Sequence, residues 1–147
     1  ESIHAAGDEK DGLILLGSRS HRDVALLMAA ASAGVEPHIG PNGIYVSGSA
    51  KEEFGLAIVE AMGSGLAVIA PKVGGPATYI DHCFTGYLAD TLDLEDIRAG
   101  IGWASGARHS EVRADAARRL VRTGYSLAAM AEELVASYQS ENRNVPA

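Results

Sequence analysis

Apolar residues are grouped in short runs separated by stretches with helical spacing. Four runs are typical of buried strands in a parallel sheet, and they lie at residues 13–16, 43–47, 66–70 and 84–89. Helical spacing follows the first run, occupies residues 54–62, and dominates the chain after residue 93. This alternation predicts an α/β fold with a Rossmann-like parallel sheet flanked by helices, followed by a helical C-terminal segment.

Polar residues and glycines predict where the helices begin and end. Ser20 with Asp23 resembles a capping box, and Gly34 is a natural end for the helix that follows. Pro76 suits the first turn of a short helix. The N-caps predicted for the last three helices are Asp93, Ser110 and Ser126.

The helical segment also carries residues whose surroundings can be predicted. The last helix has an apolar stripe that we expect to pack against the domain, formed by Leu127, Met130, Ala131, Leu134 and Tyr138. Trp103 is expected to be a packing residue rather than a stacking platform. Four arginines are expected to form a solvated helix face, namely Arg113, Arg118, Arg119 and Arg122.

Composition narrows the class of protein. The sequence has 147 residues, 47% of them apolar and 21% charged, which suits one soluble globular domain. Its net charge of -7 and the lack of a Lys/Arg cluster argue against nucleic acid as a partner. A single cysteine, Cys83, cannot form an internal disulfide, so we expect the cytoplasm. No run of about 18 apolar residues predicts a membrane span, and the Ala- and Gly-rich composition hints at a bacterial source.

The predicted topology points to one edge of the sheet. Ligands of open α/β sheets bind outside the carboxyl ends of the strands, which here means residues 18–21, 47–56 and 72–77. A helix entered near Gly55 would offer unpaired N–H groups and a partial positive charge to an anion. Glu60 is the only charged residue between Glu53 and Lys72. It could accept hydrogen bonds from two ribose hydroxyls, or it could face solvent or an internal arginine.

The segment E-E-F-G-L-A-I-V-E resembles the E-x7-E motif of retaining glycosyltransferases of family 4, which have the two-domain GT-B fold. Glu52 and Glu60 occupy the two glutamate positions. The sequence is most similar to the sucrose synthase and sucrose-phosphate synthase branch, because further matches follow in order at G-L (65–66), Ala70 and G-G-P (74–76). The resemblance covers residues 13–139.

The resemblance implies a role for each matching residue. Glu52 would take the catalytic position beside the hydroxyls of the transferred sugar, and Glu60 would hold the ribose. Residues 18–21 would lie near the base, although Arg19 and His21 could instead contact phosphate or form a solvated helix cap. The donor-binding set comprises Ser18, Arg19, His21, Phe54, Gly55, Leu56, Glu60, Gly74 and Gly75, and the three at 54–56 would act through backbone N–H groups.

The resemblance also implies a function. Residues 1–147 would form a single, incomplete donor-binding domain, the C-terminal half of a GT-B fold, and the N-terminal acceptor domain would be absent. The domain would bind a nucleotide diphosphate sugar, most commonly a uridine diphosphate (UDP) sugar. In a full-length protein the sugar would pass, with retained configuration, to an unknown acceptor without a metal ion or cofactor. The fragment alone is expected to be inactive.

This sequence departs from the family pattern at several positions. The family's arginine and lysine that neutralise the diphosphate lie on a strand–helix unit upstream of the part matching Leu13, and we expect that unit to be absent. Ala67 replaces a common proline, and Thr78 stands where many relatives have glutamate. The loop at residues 35–42 is expected to be longer than usual.

Two other classes of protein remain open at this point. The fold could serve as a non-catalytic binding or assembly module, since an exposed sheet edge invites pairing with another chain and hence a homo-oligomer. A dehydrogenase is the weaker alternative, because the first predicted strand is followed by G-S-R-S-H-R instead of G-x-G-x-x-G.

Overall fold

The computed structural model describes residues 16–34, 43–106 and 111–142, with side chains up to residue 139. Six helices and three strands lie in these ranges. In chain order they are α1 (His21–Ala33), β1 (Ile44–Val46), α2 (Leu56–Ser64), β2 (Ala67–Pro71), α3 (Pro76–Tyr79), β3 (Tyr87–Ala89), α4 (Leu94–Ser105), α5 (Glu111–Gly124) and α6 (Leu127–Asn142). The α/β class with a helical C-terminal segment is therefore confirmed.

The three strands form a parallel sheet in the order β1-β2-β3. Tyr45 is paired with Val68, and Ile69 is paired with Tyr87. The last strand is shorter than predicted, because the N–H groups of Phe84 and Thr85 both donate to the Asp81 carbonyl in a turn. The predicted strand at residues 13–16 falls outside the described residues except for its last residue, and so do the loop at 35–42 and the Ser110 cap.

Helices cover both faces of the sheet. Val68 and Ala70 of β2 belong to a buried cluster with Ile58 and Met62 of α2, which also contacts α1 and α5. Successive side chains of a strand point to opposite faces, so Ile69 points the other way. There it meets α4 at Gly100, where an added Cβ would come within 3.2 Å of the Ile69 side chain. The sheet is thus the middle layer of three.

Most of the described helix ends follow the sequence signals. The predicted N-caps Ser20, Asp93 and Ser126 accept backbone N–H bonds at 3.2, 2.9 and 3.1 Å. Gly34 ends α1 in the left-handed conformation, with φ of 65°. Helix α2 begins two residues later than expected, because Gly55 has φ of 85° and cannot be part of a right-handed helix.

The predicted surroundings of the C-terminal helices need correction. The apolar stripe of α6 is exposed, including Leu127 at 87% and Tyr138 at 63%, so the expected packing was wrong among the described residues. Amphipathic spacing identifies an apolar face but not what covers it. The prediction of a solvated arginine face was also wrong in part. The Arg113 guanidinium lies 5.9 Å from the centre of the Trp103 ring, and Arg118 donates a hydrogen bond to Ser32. Trp103 is half-buried, as expected of a packing residue, and donates to the Cys83 carbonyl at 3.3 Å.

None of the described helices combines the length and the apolar character that crossing a bilayer requires.

Two methionines provide a matched test of this core. Met62 of α2 is fully buried, whereas Met130 of α6 is 57% exposed. Met62→Ala should lower the free energy of unfolding by about 2–5 kcal/mol, because it leaves a cavity. Met130→Ala should change it by less than about 0.5 kcal/mol. Urea denaturation of both variants measures the difference, and equal losses would contradict the described core.

Candidate functional site

Two loops meet at the carboxyl edge of the sheet. Residues 47–55 follow β1, and residues 72–75 follow β2. The Gly75 N–H donates to the Glu52 carbonyl at 2.8 Å, and the Glu52 N–H donates to the Val73 carbonyl at 3.3 Å. The structure therefore brings Glu52 next to Gly74 and Gly75, three residues that the sequence assigned to one site.

The two glycines permit this approach because they lack side chains. A Cβ at Gly74 would overlap the Glu52 carbonyl oxygen, and Gly74 has φ of 104°, which other residues rarely adopt. A Cβ at Gly75 would overlap the Glu53 carbonyl oxygen. Any larger residue at either position would force the two loops apart.

The start of α2 carries unpaired donors. Gly55 provides no side-chain cap, and its carbonyl accepts from Ile58 and Val59. Within the described part of the chain, the N–H groups of Gly55, Leu56 and Ala57 have no acceptor. Such groups, together with the helix dipole, attract anions such as phosphate.

Glu60 lies about one turn further along α2, and the start of α1 brings a histidine to it. The Glu60 Oε1 atom is 3.3 Å from His21 Nε2, and the Glu60 side chain is 40% exposed. Glu60 thus faces solvent in part, and its neighbour is a histidine rather than an arginine. Its binding to ribose hydroxyls stays a prediction. Glu60 and His21, both assigned to the site from the sequence, lie together.

Ser18 and Arg19 are exposed and lie just before α1. Arg19 lines a recess of about 450 Å³ beside this helix, together with Leu16, Gly17, Asp23, Val24 and Leu27. The recess has mainly apolar walls with one cationic and one anionic side chain, Arg19 and Asp23, which suits a flat heterocycle better than a second phosphate. It lies beside α1, the helix that begins at His21.

Three tyrosines of the site were missed in the sequence analysis. Burial raises the pKa of Tyr45, and the negative charges of Glu52 and Glu60 raise it further. Tyr79 is buried, and its hydroxyl donates to the Phe54 carbonyl at 2.6 Å. The Phe54, Tyr79 and Tyr125 rings contact one another, with centroids 5.5 to 5.9 Å apart. Tyr45 lies in β1 and Tyr79 in the short helix α3, where a tyrosine is typical of packing. Only their closeness to the motif in sequence could have indicated a place in the site.

The lysines near this edge are already paired with carboxylates. Lys72, directly after β2, lies 3.0 Å from Asp90, and this contact is the main reason why the pKa of Asp90 is lowered. Lys51 lies 2.6 Å from Glu53. The charges of these two lysines are therefore compensated, whereas the N–H groups at the start of α2 have no acceptor among the described residues.

Comparison with known proteins identifies the class. Residues 8–119 match the family model of the glycosyl transferases group 1, and the chain belongs to this family. A stretch of 53 residues is 42% identical to a sucrose synthase of Acidithiobacillus caldus. The stretch covers 36% of this chain and 7% of that protein. The chain thus matches only a small part of the length of this relative.

Solved structures show the same fold at low identity. A sucrose-phosphate synthase from Thermosynechococcus elongatus superposes with a TM-score of 0.71 and 23% identity, over 90% of this chain and 31% of that one. The Anabaena protein Alr3699/HepE, solved in complex with UDP, has a TM-score of 0.63 and 22% identity, over 78% and 29% of the two chains. The Rossmann-like sheet with flanking helices is therefore the fold found in GT-B glycosyltransferases.

The close contact between the two loops can be tested with a pair of glycines. Gly74→Ala should lower the free energy of unfolding by at least about 1–2 kcal/mol, because of its left-handed φ alone. Gly48 lies in open space with an ordinary φ. Gly48→Ala should leave stability unchanged or raise it by about 0.4–1 kcal/mol. Chemical denaturation measures both, and a Gly74→Ala variant as stable as Gly48→Ala would disprove the contact.

Proposed function

We propose that this domain binds the nucleotide diphosphate sugar donor of a retaining glycosyltransferase at the carboxyl edge of the sheet. The observation that carries the proposal is the placement of Glu52 and Glu60 on either side of the unpaired N–H groups at the start of α2. Membership of the glycosyl transferases group 1 family supports it. The acceptor would bind to a part of a longer protein that this chain does not contain.

Each part of the donor has a complementary group. Glu60 accepts from the ribose hydroxyls, and its partial exposure leaves it accessible to them. The His21 imidazole lies against the Glu60 carboxylate, so the ribose would bind beside this side chain. The recess lined by Arg19 and Val24 receives the base, since it lies beside the helix whose first residue, His21, contacts Glu60.

The diphosphate and the sugar lie at the other end of the site. The N–H groups of Gly55, Leu56 and Ala57 point toward the diphosphate, whose negative charge rises as the glycosidic bond breaks. Glu52 contacts the hydroxyls of the sugar. Hydrogen bonds to Val73 and Gly75 hold the backbone of Glu52, so the backbone position that carries its carboxylate is fixed. We infer a UDP sugar as donor, which the UDP complex of the structural neighbour supports.

The ribose assignment can be tested with two isosteric variants. Glu60→Gln removes the negative charge that accepts the ribose hydroxyls. Loss of one charge-assisted hydrogen bond is worth about 1.5–3 kcal/mol, so the dissociation constant for UDP should rise roughly ten- to 150-fold. Glu95→Gln is the control, because Glu95 is exposed on α4 and pairs with Arg98.

Isothermal titration of the wild type and both variants with UDP, and with guanosine diphosphate, gives the affinities and the preferred base. The proposal predicts that only Glu60→Gln weakens binding. Equal affinities of Glu60→Gln and the wild type would remove Glu60 from the site.

A non-catalytic assembly module is the second candidate, and one observation favours it. Helix α6 exposes Leu127, Met130, Leu134, Val135 and Tyr138, each more than half accessible. Contiguous apolar surface of this kind is typical of an interaction site. In this alternative the family's fold is retained to join polypeptide chains, and the donor site is not used.

Light scattering coupled to gel filtration separates the two candidates. The assembly module predicts an oligomer that dissociates when Leu134→Glu places a charge in the apolar stripe, and no affinity for nucleotides. A monomer that binds UDP would rule it out.

A further inference from the structure

We propose that Tyr79 is a positioning residue that orients the Gly55 N–H toward the donor by holding the Phe54 carbonyl from behind. This inference rests on the donor site proposed above and adds a residue that lies outside the E-x7-E motif. The Tyr79 hydroxyl donates to the Phe54 carbonyl at 2.6 Å, across 25 positions of sequence. This hydrogen bond links the short helix α3 to the residues just before α2.

The geometry of the peptide bond transmits the effect. Phe54 C=O and Gly55 N–H belong to one peptide unit, which is planar and trans, so the two groups point in opposite directions. A carbonyl held toward Tyr79 therefore turns the Gly55 N–H away from Tyr79. In the described part of the chain this N–H has no acceptor, which leaves it available to a ligand.

Such a restraint matters because glycine allows the backbone at position 55 a wide range of conformations. Glycine with φ of 85° can populate other conformations at little cost, and no side-chain cap fixes the start of α2. The space around Gly55 is nevertheless limited. A Cβ at Gly55 would come 2.8 Å from Ile58, 3.0 Å from Glu52 and 3.1 Å from the Tyr79 hydroxyl, so the glycine is enclosed on several sides.

The Tyr79 ring is itself held rigidly. It is only 7% exposed and packs against the rings of Phe54 and Tyr125, at 5.9 and 5.5 Å between centroids. Burial is the main cause that raises the pKa of Tyr79 to about 12. The phenol therefore stays protonated and able to donate throughout the neutral range. The Tyr79 and Phe54 rings both contact Tyr125, which lies between α5 and α6. These contacts connect the two helices to the site.

Two tyrosine-to-phenylalanine variants provide a matched test. Tyr79→Phe removes the hydroxyl and keeps the ring. Tyr87→Phe makes the same change at another part-buried hydroxyl, which bonds Asp96 at 2.9 Å on the α4 side of the sheet. Loss of one neutral hydrogen bond should weaken UDP binding by Tyr79→Phe roughly three- to tenfold. Tyr87→Phe should weaken it by less than about twofold, with a loss of melting temperature at least as large, because this hydroxyl bonds a carboxylate.

The outcomes are separable. Weaker binding by Tyr79→Phe alone supports the proposal, and unchanged binding by both variants overturns it, since a merely structural hydroxyl would alter stability but not affinity. If the wild type binds no nucleotide, the proposed donor site fails. In that case, the backbone amide chemical shifts of Gly55 and Leu56 test the positioning role alone. Shifts that change in Tyr79→Phe but not in Tyr87→Phe support it, and unchanged shifts in Tyr79→Phe refute it.

A second measurement applies if Tyr79→Phe does not fold. Hydroxyl proton exchange can be followed by NMR in the wild-type chain, with the exposed Tyr138 as internal reference. The proposal requires slower exchange at Tyr79 than at Tyr138. Equal exchange at the two hydroxyls would overturn it.

Discussion

The meeting of two loop backbones at Glu52 and Gly74 is the constraint on which the candidate site depends. Parallel strands β1 and β2 deliver both loops to one edge of the sheet, and two backbone hydrogen bonds hold them together. Glycine is required at positions 74 and 75 because the two loop backbones approach closely there, and not by turn preference alone. Because the Glu52 backbone is fixed in this way, its side chain and the start of α2 are placed together.

The start of α2 has features that disfavour an isolated helix but suit a binding site. It lacks a side-chain cap, begins at a glycine in the left-handed region and leaves N–H groups without acceptors in the described structure. Packing offsets this instability, since Ile58, Val59, Ala61 and Met62 are all buried. Nearby lysines are paired with carboxylates. A phosphate-bearing ligand would therefore meet free donors at the helix end rather than at these lysines.

Local signals predicted the elements well, and tertiary contacts account for the remainder. Ser20, Asp93 and Ser126 cap helices because their side chains need only the next turn to find a donor. The motif predicted that Glu52, Glu60 and the G-G-P turn belong together, but spacing carries no information on the His21 pairing or on Tyr79, which joins residues far apart in sequence. The stripe of α6 was misjudged because an apolar face does not specify its partner.

The central claim is that a nucleotide diphosphate binds where α2 begins. Titration of the isotopically labelled chain with UDP, followed through the backbone amide resonances, tests it most directly. The account predicts that the signals of Gly55, Leu56 and Glu60 shift with a common saturation curve, while those of Gly102 and Gly124, which lie in α4 and α5, stay in place. Shifts confined to other parts of the chain, or none at all at saturating UDP, would contradict it.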